Sequence, residues 1–203
     1  MDLTKPISKM KQDGEWPLSW TSAIGLVDVV RGLGDNVVGC ELGVSYGFNL
    51  VYFLDHLPNI SRVHAVDPYM PYDDGPSGWV PQEVMDKVRE CMLVNIEEHK
   101  DKVNFIHKAS DEAYKEIEDG SLDYIFIDGD HNYDAVVKDM NNYYSKVRSG
   151  GVFAGHDLSW PGVTKAVGEF REANGLPLHS GCANDVWYWR SEEHTSELQS
   201  LRH

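Results

Sequence analysis

Residues 121–133, SLDYIFIDGDHNY, decide the fold that this sequence predicts. Residues 122–127 form an apolar run that is too short for a helix and rich in β-branched and aromatic side chains, which indicates a buried strand. The run ends in Asp128, Gly129, Asp130 and His131. Two carboxylates and an imidazole so close together are suited to hold a divalent cation or to move a proton. In an open parallel sheet this tip lies at the carboxyl edge of the strands, where ligands bind.

The same alternation of strand and helix extends along the chain in both directions. Apolar runs predict further strands over residues 37–42, 62–66, 102–107, 152–154 and 185–189. Helical spacing of apolar side chains predicts helices over residues 20–33, 48–54, 82–99, 113–117, 134–147 and 161–173. Residues 70–81, dense in Pro, Gly and Asp, predict a loop, a candidate lid that carries Trp79. The alternation predicts an α/β fold, an open sheet with helices on both faces.

A glycine-containing loop follows the predicted strand 37–42. Gly43 and Gly47 would let the backbone come close to a ligand, and the start of the next helix offers unpaired N–H groups. Glu41 stands where the dinucleotide-binding fingerprint has its first glycine. An acidic side chain there would repel a pyrophosphate and attract a cationic ligand. The loop therefore disfavours a nicotinamide dinucleotide.

Polar side chains follow three other predicted strands. Asp67 follows the second strand, where an acid is placed to accept hydrogen bonds from ribose hydroxyls. Ser110 and Asp111 follow the next strand, and they either cap the helix 113–117 or contact a ligand. His156 and Asp157 follow residues 152–154 and repeat the pattern of strand, glycine and metal-compatible side chains.

The charge of the chain limits its partners. The 203 residues include 33 acidic and 18 basic side chains, a formal net charge of −15. Such a surface repels nucleic-acid backbones and anionic membranes, so we expect neither as a partner. The substrate is expected to be small and neutral or cationic.

The cysteines and the N-terminal residues bear on the compartment. Cys40, Cys91 and Cys182 are an odd number at no metal-like spacing, which argues against a disulfide framework and for a reducing compartment. Residues 1–16 lack the apolar core of a signal peptide, and no apolar run is long enough to span a bilayer. We therefore expect a cytoplasmic protein. A homo-oligomer is compatible with the sequence, which carries no readable code for oligomeric state.

Five motifs, in their order and spacing, resemble those of the class I S-adenosylmethionine-dependent methyltransferases. They are ELGVSYG (41–47), VDPY (66–69), KASDE (108–112), DYIFIDGDHNYDAV (123–136) and GGVFAGHD (150–157). Within that class the sequence looks most like the metal-dependent small-molecule and sugar O-methyltransferases whose fourth strand ends in Ile-Asp-Gly-Asp-His. The resemblance covers residues 37–189. It implies a Rossmann-like, doubly wound, mostly parallel seven-stranded sheet.

The resemblance also implies roles for individual residues. The cofactor S-adenosylmethionine would be bound by Glu41, Gly43, Ser45, Gly47, Asp67, Ser110, Asp111 and Asp128. A divalent cation would be bound by Asp128, His156 and Asp157. Mg²⁺ is the expected ion for carboxylate oxygens, and the imidazole shifts the preference towards Mn²⁺. Asp130 or His131 would be the general base, with Asp130 favoured and His131 serving as its partner.

The C-terminal residues have an unusual composition. Residues 190–200, RSEEHTSELQS, are polar without an apolar period and resemble the translation of a common short-read sequencing adapter. We therefore expect that the natural C terminus has been replaced from about Arg190 onward. The predicted organisation is an N-terminal segment and helix that cover the domain (1–35), a methyltransferase domain (36–190) and a disordered tail (191–203).

Three functions are compatible with these observations. The first is a methyl transfer from S-adenosylmethionine to a hydroxyl of a small molecule, a sugar or a phenol, assisted by a divalent metal. The second is a nicotinamide-dependent oxidoreductase on a similar sheet, which Glu41 disfavours. The third is a cofactor-binding module without catalysis, against which Asp128, Asp130 and Asp157 weigh.

Overall fold

The computed structural model describes residues 6–14, 21–73, 78–177, 179–182 and 185–191. Their strands are β1 (Val37–Leu42), β2 (Ile60–Val66), β3 (Tyr72–Asp73), β4 (Trp79–Val80), β5 (Val103–Ile106), β6 (Leu122–Ile127), β7 (Val147–Gly155), β8 (His179–Cys182) and β9 (Val186–Arg190). Their α-helices are α1 (Ile7–Gln12), α2 (Val27–Arg31), α3 (Phe48–His56), α4 (Gln82–Asn95), α5 (Ser110–Ala113), α6 (Tyr133–Tyr143) and α7 (Pro161–Asn174). Short 3-10 helices span Ser22–Leu26, Glu97–Lys102, Tyr114–Glu116 and Tyr144–Lys146.

Seven of these strands form one sheet in the order β5-β2-β1-β6-β7-β9-β8. The first five strands of that order are parallel, and β9 and β8 add antiparallel pairs at one side. The chain moves outward from β1 to β2 and β5 and then returns to place β6 on the other side of β1. The strand order therefore reverses at β1 and β6, the position where such sheets bind ligands.

Two hydrophobic clusters cover the two faces of the sheet. One contains residues of the first four helices, such as Val30, Leu50 and Met92. The other contains residues of the last three helices, such as Ala113, Met140 and Val167. This arrangement confirms the predicted α/β class, a doubly wound and mostly parallel sheet of seven strands. None of the described helices is long and apolar enough to cross a membrane.

Several predicted boundaries were wrong. The helix predicted over 82–99 ends at Asn95. The helix predicted over 20–33 is a 3-10 helix followed by the short α2, and residue 20 lies outside the described residues. The helix predicted over 134–147 ends at Tyr143, because Val147 already begins β7.

Two predicted connections are strands in the structure. The predicted loop 70–81 contains the two-stranded pair β3 and β4, and residues 74–77 between them lie outside the described residues. The connection between the predicted helix 134–147 and the predicted strand 152–154 belongs to β7. A Cβ on Gly151 would lie 2.8 Å from the carbonyl oxygen of Asp123, so glycine there permits a close backbone approach. Strand β8 was not predicted.

The predicted tail begins with a residue that the structure describes. Ser191 is buried, and its Oγ accepts a hydrogen bond of 3.1 Å from the backbone N–H of Gly151 in β7. It also donates to the carbonyl oxygen of Arg148. The rest of the predicted tail, residues 192–203, lies outside the described residues.

Helix α1 is connected to the loop after β1 through one buried side chain. The amide of Asn95, at the end of α4, accepts a hydrogen bond of 2.8 Å from the backbone N–H of Ile7. Its Nδ2 donates one of 2.9 Å to the carbonyl oxygen of Tyr46. Ile7 and Met10 are themselves buried in the first hydrophobic cluster. Asn95 thus joins the N-terminal helix to the predicted cofactor loop.

Candidate functional site

The carboxyl ends of β1 and β6 meet at Gly43. The backbone N–H of Gly43 donates a hydrogen bond of 2.9 Å to the carbonyl oxygen of Val66 at the end of β2. Gly43 has a φ of +82°, and a Cβ there would lie 2.2 Å from the carbonyl oxygen of Asp128. Only glycine satisfies both the left-handed backbone and this close approach. The loop after β1 therefore packs directly on the tip of β6.

Asp67 organises the same loop from the end of β2. Its two oxygens accept hydrogen bonds of 2.9 and 2.8 Å from the backbone N–H groups of Ser45 and Tyr69. The Tyr69 hydroxyl donates one of 2.6 Å to the carbonyl oxygen of Ser45. Burial raises the pKa of Asp67, and these backbone donors oppose the rise. The predicted ribose-binding acid thus also positions the loop that is predicted to bind the cofactor.

Glu41 is a buried acid with an unsatisfied oxygen. Its side chain is only 4% exposed, and Oε1 has no hydrogen-bond partner within the described residues. Burial raises the pKa of Glu41 well above its ordinary value, and the negative charge of Asp128 raises it further. A buried carboxyl in this condition gains from a cationic neighbour. The sulfonium and ammonium groups of S-adenosylmethionine have that charge.

Gly47 is the residue before α3, and a side chain at this position would be directed towards α4. Its φ is +79°, and the nearest atoms to a Cβ would belong to Met92 and Ile96 of the segment that ends α4. Gly47 therefore lets α3 approach that segment closely. The structure places Gly47 at the end of the predicted loop, where it packs against this segment.

Ser110 and Asp111 are directed towards α6. Helix α5 begins at Ser110 with Ala109 as its N-cap and no side-chain cap, so the capping alternative was wrong. The Ser110 Oγ donates a hydrogen bond of 2.5 Å to Asp139, and Asp111 forms a salt bridge of 3.1 Å with Lys138. Burial raises the pKa of Asp139 to about 6. Asp139, a buried acid in an otherwise ordinary helical pattern, was not predicted as part of the site.

Asp128 is held by two residues from other elements. Its Oδ2 accepts hydrogen bonds of 2.8 Å from the Ser22 hydroxyl and 3.1 Å from the Asn49 amide. Neither donor was predicted from the sequence. Asn49 had a detectable signal, since it is a polar residue within the apolar run of α3. Ser22 had none, because its position next to β6 depends on the tertiary fold.

His156 lies between the two carboxylates of the predicted metal site. Its Nδ1 is 3.3 Å from Oδ1 of Asp128 and 3.1 Å from Oδ2 of Asp157. Burial lowers the pKa of His156, but the hydrogen bonds and charges of both carboxylates outweigh it and raise the pKa to about 10. The indole N–H of Trp187 donates a hydrogen bond of 3.0 Å to the backbone carbonyl of His156. The imidazolium of His156 thus offsets part of the negative charge of the two acids.

His131 belongs to the same cluster and contacts Asp157. Its Nε2 is 2.6 Å from Oδ2 of Asp157, and this contact raises the pKa of His131 against the effect of burial. Burial raises the pKa of Asp157, but its hydrogen bonds to His131 and His156 outweigh this and lower it well below the ordinary range. The predicted pairing of His131 with Asp130 was wrong, since His131 pairs with Asp157.

The structure therefore brings together most of the predicted catalytic and metal residues. One ligand atom each from Asp128, His131 and Asp157 lies within 4.8 Å of the others, a spacing compatible with a metal ion. Asp130 is exposed beside this cluster, and its Oδ1 accepts hydrogen bonds of 2.8 and 2.7 Å from the backbone and side-chain N–H groups of Asn132. We refer to Asp128, His131, His156 and Asp157 as the carboxylate–imidazole cluster.

Two cavities differ in their chemistry. A cavity of about 10 Å³ is lined by all of the carboxylate–imidazole cluster except Asp157. A wider cleft of about 560 Å³ is lined by α1, Val51 and the end of α4, and it contains none of the predicted site residues. The titratable side chains converge at the first, so we assign the site to the strand ends and not to the larger cleft.

Known proteins resemble this chain in sequence and in fold. The profile of a family described as a methyltransferase domain matches residues 40–158, which include the loop after β1 and the carboxylate–imidazole cluster. The chain belongs to this methyltransferase family. It is a class I S-adenosylmethionine-dependent methyltransferase, as its motifs predicted. A search of curated proteins found no match to this methyltransferase.

Solved structures share the fold of this methyltransferase. The calicheamicin methyltransferase is 17% identical, with a TM-score of 0.62 over 93% of this chain and 88% of that one. An O-methyltransferase from Bacillus cereus in complex with SAH is 14% identical, with a TM-score of 0.59 over 94% of this chain and 91% of that one. A precorrin-6y C5,15-methyltransferase from Geobacter metallireducens is 15% identical, with a TM-score of 0.57 over 81% and 88%. At these identities the likeness shows the fold alone.

Proposed function

We propose that this methyltransferase transfers the methyl group of S-adenosylmethionine to a hydroxyl of a small acceptor, a sugar or a phenol, and that a divalent cation assists. One observation carries the proposal. Asp128 and Asp157, from the ends of neighbouring strands, converge with His131 and His156 beside the loop after β1, whose Gly43 packs on Asp128. The O-methyltransferase among the structural neighbours is consistent with this chemistry.

The residues around the loop fit the cofactor. The buried and unsatisfied Oε1 of Glu41 suits the positive charges at the methionine end. Asp67 lies at the end of β2, where the ribose hydroxyls are expected. We assign Ser110 and Asp111, which follow the next strand, to the adenine end.

The carboxylate–imidazole cluster fits a divalent cation. Asp128 and Asp157 with His131 or His156 would hold it, and this mixed donor set favours Mn²⁺ over Mg²⁺. Such an ion would lower the pKa of the acceptor hydroxyl when bound. The cluster already pairs two carboxylates with two imidazoles. Since metal ligands must be deprotonated, cation binding and histidine protonation compete here.

The reaction needs few groups from the protein. The acceptor oxygen forms a bond to the methyl carbon, the C–S bond breaks, and its electron pair goes to sulfur, which leaves S-adenosylhomocysteine. The hydroxyl proton passes to a base. Asp130 is our candidate base, because its exposed carboxylate lies beside the cluster whereas His131 is engaged with Asp157. The remaining role of the protein is to position the acceptor in line with the C–S bond.

Calorimetry and methyl-transfer assays test this proposal. We expect S-adenosylhomocysteine to bind with micromolar affinity, about −8 kcal/mol, and Mn²⁺ to bind separately. We expect formation of S-adenosylhomocysteine from S-adenosylmethionine with phenol or methyl glucoside as acceptor. Asp157→Asn should abolish Mn²⁺ binding and leave S-adenosylhomocysteine binding intact, and the exposed Asp134→Asn serves as the control. Absence of cofactor binding would refute the proposed methyl transfer. Turnover that does not depend on a metal would refute the proposed role of the divalent cation.

A further inference from the structure

Trp160 is a half-exposed aromatic side chain with no role in the methyl-transfer reaction proposed above. It is 49% exposed, whereas Trp187 and Trp189 of β9 are fully buried. Its indole stacks on the His131 imidazole with ring centroids 5.0 Å apart and an interplanar angle of 29°. His131 in turn contacts Asp157 at 2.6 Å. Trp160 therefore adjoins the carboxylate–imidazole cluster and presents apolar surface to solvent.

The backbone of Trp160 is fixed relative to Asp157. The N–H of Trp160 donates a hydrogen bond of 2.9 Å to the carbonyl oxygen of Asp157, which closes a turn. The carbonyl oxygen of Trp160 accepts one of 2.8 Å from the N–H of Thr164 in the first turn of α7. Asp185 holds the intervening Ser159 through its N–H at 3.0 Å. These contacts fix the backbone of Trp160, and the stacking on His131 orients its indole.

A pre-positioned aromatic surface next to polar groups has a specific use in recognition. Ordering of a flexible side chain reduces affinity, and a side chain that is already ordered avoids that loss. An exposed indole can stack with an aromatic ring or pack on the C–H face of a sugar. His131, on which the indole stacks, and its partner Asp157 supply polar groups beside this surface. The combination matches a molecule with a ring and a hydroxyl attached to it.

We propose that Trp160 is the platform on which the ring of the methyl acceptor packs, with its hydroxyl directed towards His131 and Asp157. This inference rests on the proposed function, because it assumes that methyl transfer occurs at the cluster. The occupant is a neutral six-membered ring that bears a hydroxyl. Sugars and phenols share that chemistry, and separate probes distinguish them. Trp160 is then a positioning residue that determines which acceptors are used.

Fluorine NMR can observe the indole directly. The protein is labelled with 5-fluorotryptophan and saturated with S-adenosylhomocysteine in a buffer that contains Mg²⁺ and no Mn²⁺. It is titrated with phenol and, in a separate experiment, with methyl glucoside. Trp160→Phe assigns the Trp160 resonance. Trp189 provides a buried internal reference, and Trp79, which is 67% exposed on β4, provides an exposed one. We expect at least one of the two probes to shift the Trp160 resonance while those of Trp79 and Trp189 stay in place.

Two variants separate packing of the acceptor from a structural role. Trp160→Ala should weaken binding of the active probe by about tenfold, and Trp160→Phe should restore most of it. Both variants should bind S-adenosylhomocysteine as the wild type does. Cofactor binding with an unmoved Trp160 resonance for both probes would overturn the platform and leave the proposed function intact. A shift of Trp79 in its place would also overturn it, whereas failure to bind S-adenosylhomocysteine would refute the function itself.

Discussion

The Ser22 hydroxyl donates a hydrogen bond of 2.8 Å to Oδ2 of Asp128 across 106 positions of the sequence. The 3-10 helix before α2 thereby fixes the carboxylate at the tip of β6. The Ser22 hydroxyl binds only Oδ2, so the other oxygen, Oδ1, is directed at His156 within the cluster.

Ser22→Ala should weaken Mn²⁺ binding by about 10- to 100-fold, the usual effect of losing a partner that orients a metal ligand. Isothermal titration with Mn²⁺ measures this change. Ser61→Ala is a matched control, because the Ser61 hydroxyl donates to a backbone carbonyl at the start of β1 and not to the site. Equal Mn²⁺ affinities in the two variants would contradict the role of Ser22.

Asp130→Asn should lower kcat by about 100- to 10,000-fold, because the amide cannot accept the acceptor proton. Its binding of S-adenosylhomocysteine should not change. Steady-state kinetics with the active acceptor test this expectation, and Asp134→Asn, exposed in the first turn of α6, controls for loss of charge. A larger loss of kcat in His131→Asn than in Asp130→Asn would move the base to His131.

Glu41→Gln should stabilise the cofactor-free protein at neutral pH. Burial raises the pKa of Glu41 above its ordinary value of 4.5, so the folded state retains a proton that the unfolded state releases. This group therefore contributes stability at low pH, and the contribution is lost as pH rises above about 4.5. Denaturant titrations should show an advantage of Glu41→Gln at pH 7 that shrinks towards pH 4.5. The same variant should bind S-adenosylmethionine more weakly. A constant stability difference across this range would contradict the raised pKa.

Gly43→Ala should destabilise the fold by about 3 kcal/mol or more, since a left-handed backbone is combined with overpacking against Asp128. Gly120→Ala is the matched control. Gly120 also has a positive φ, of +68°, but a Cβ there meets nothing within 4 Å, so we expect a loss of about 1 kcal/mol. Urea denaturation of the two variants measures the difference in their free energies of unfolding. Similar losses of stability would mean that the close approach of Gly43 to Asp128 does not exclude a side chain.

The sequence predicted the central strands well and the ends of helices poorly. Strands β1 and β6 have the bounds that their apolar runs predicted, because a glycine or aspartate stops each run abruptly. Strand β2 begins two residues earlier than predicted, at Ile60, because the exposed Ser61 separates Ile60 from the rest of the apolar run. Helix α4 ends earlier than predicted because a 3-10 helix continues the chain after Ile96, which is still buried.

The site shows a similar limit. Motif positions at strand ends placed Asp128, His156 and Asp157 together, since parallel strands bring their carboxyl ends to one edge. The direction of each side chain was not encoded in that argument. His131 turns to Asp157, Asp130 turns to Asn132, and Ser110 turns to Asp139. Such choices depend on partners that only the folded chain supplies.

The bridge made by Asn95 couples two events that are remote in sequence. Detachment of α1 would leave the amide without the N–H of Ile7 and free the loop at Tyr46 to move. By thermodynamic linkage, any ligand that requires the ordered loop also raises the free energy of that detachment. The backbone amides of α1 then act as a remote reporter of cofactor occupancy, with slower hydrogen exchange when S-adenosylhomocysteine is bound.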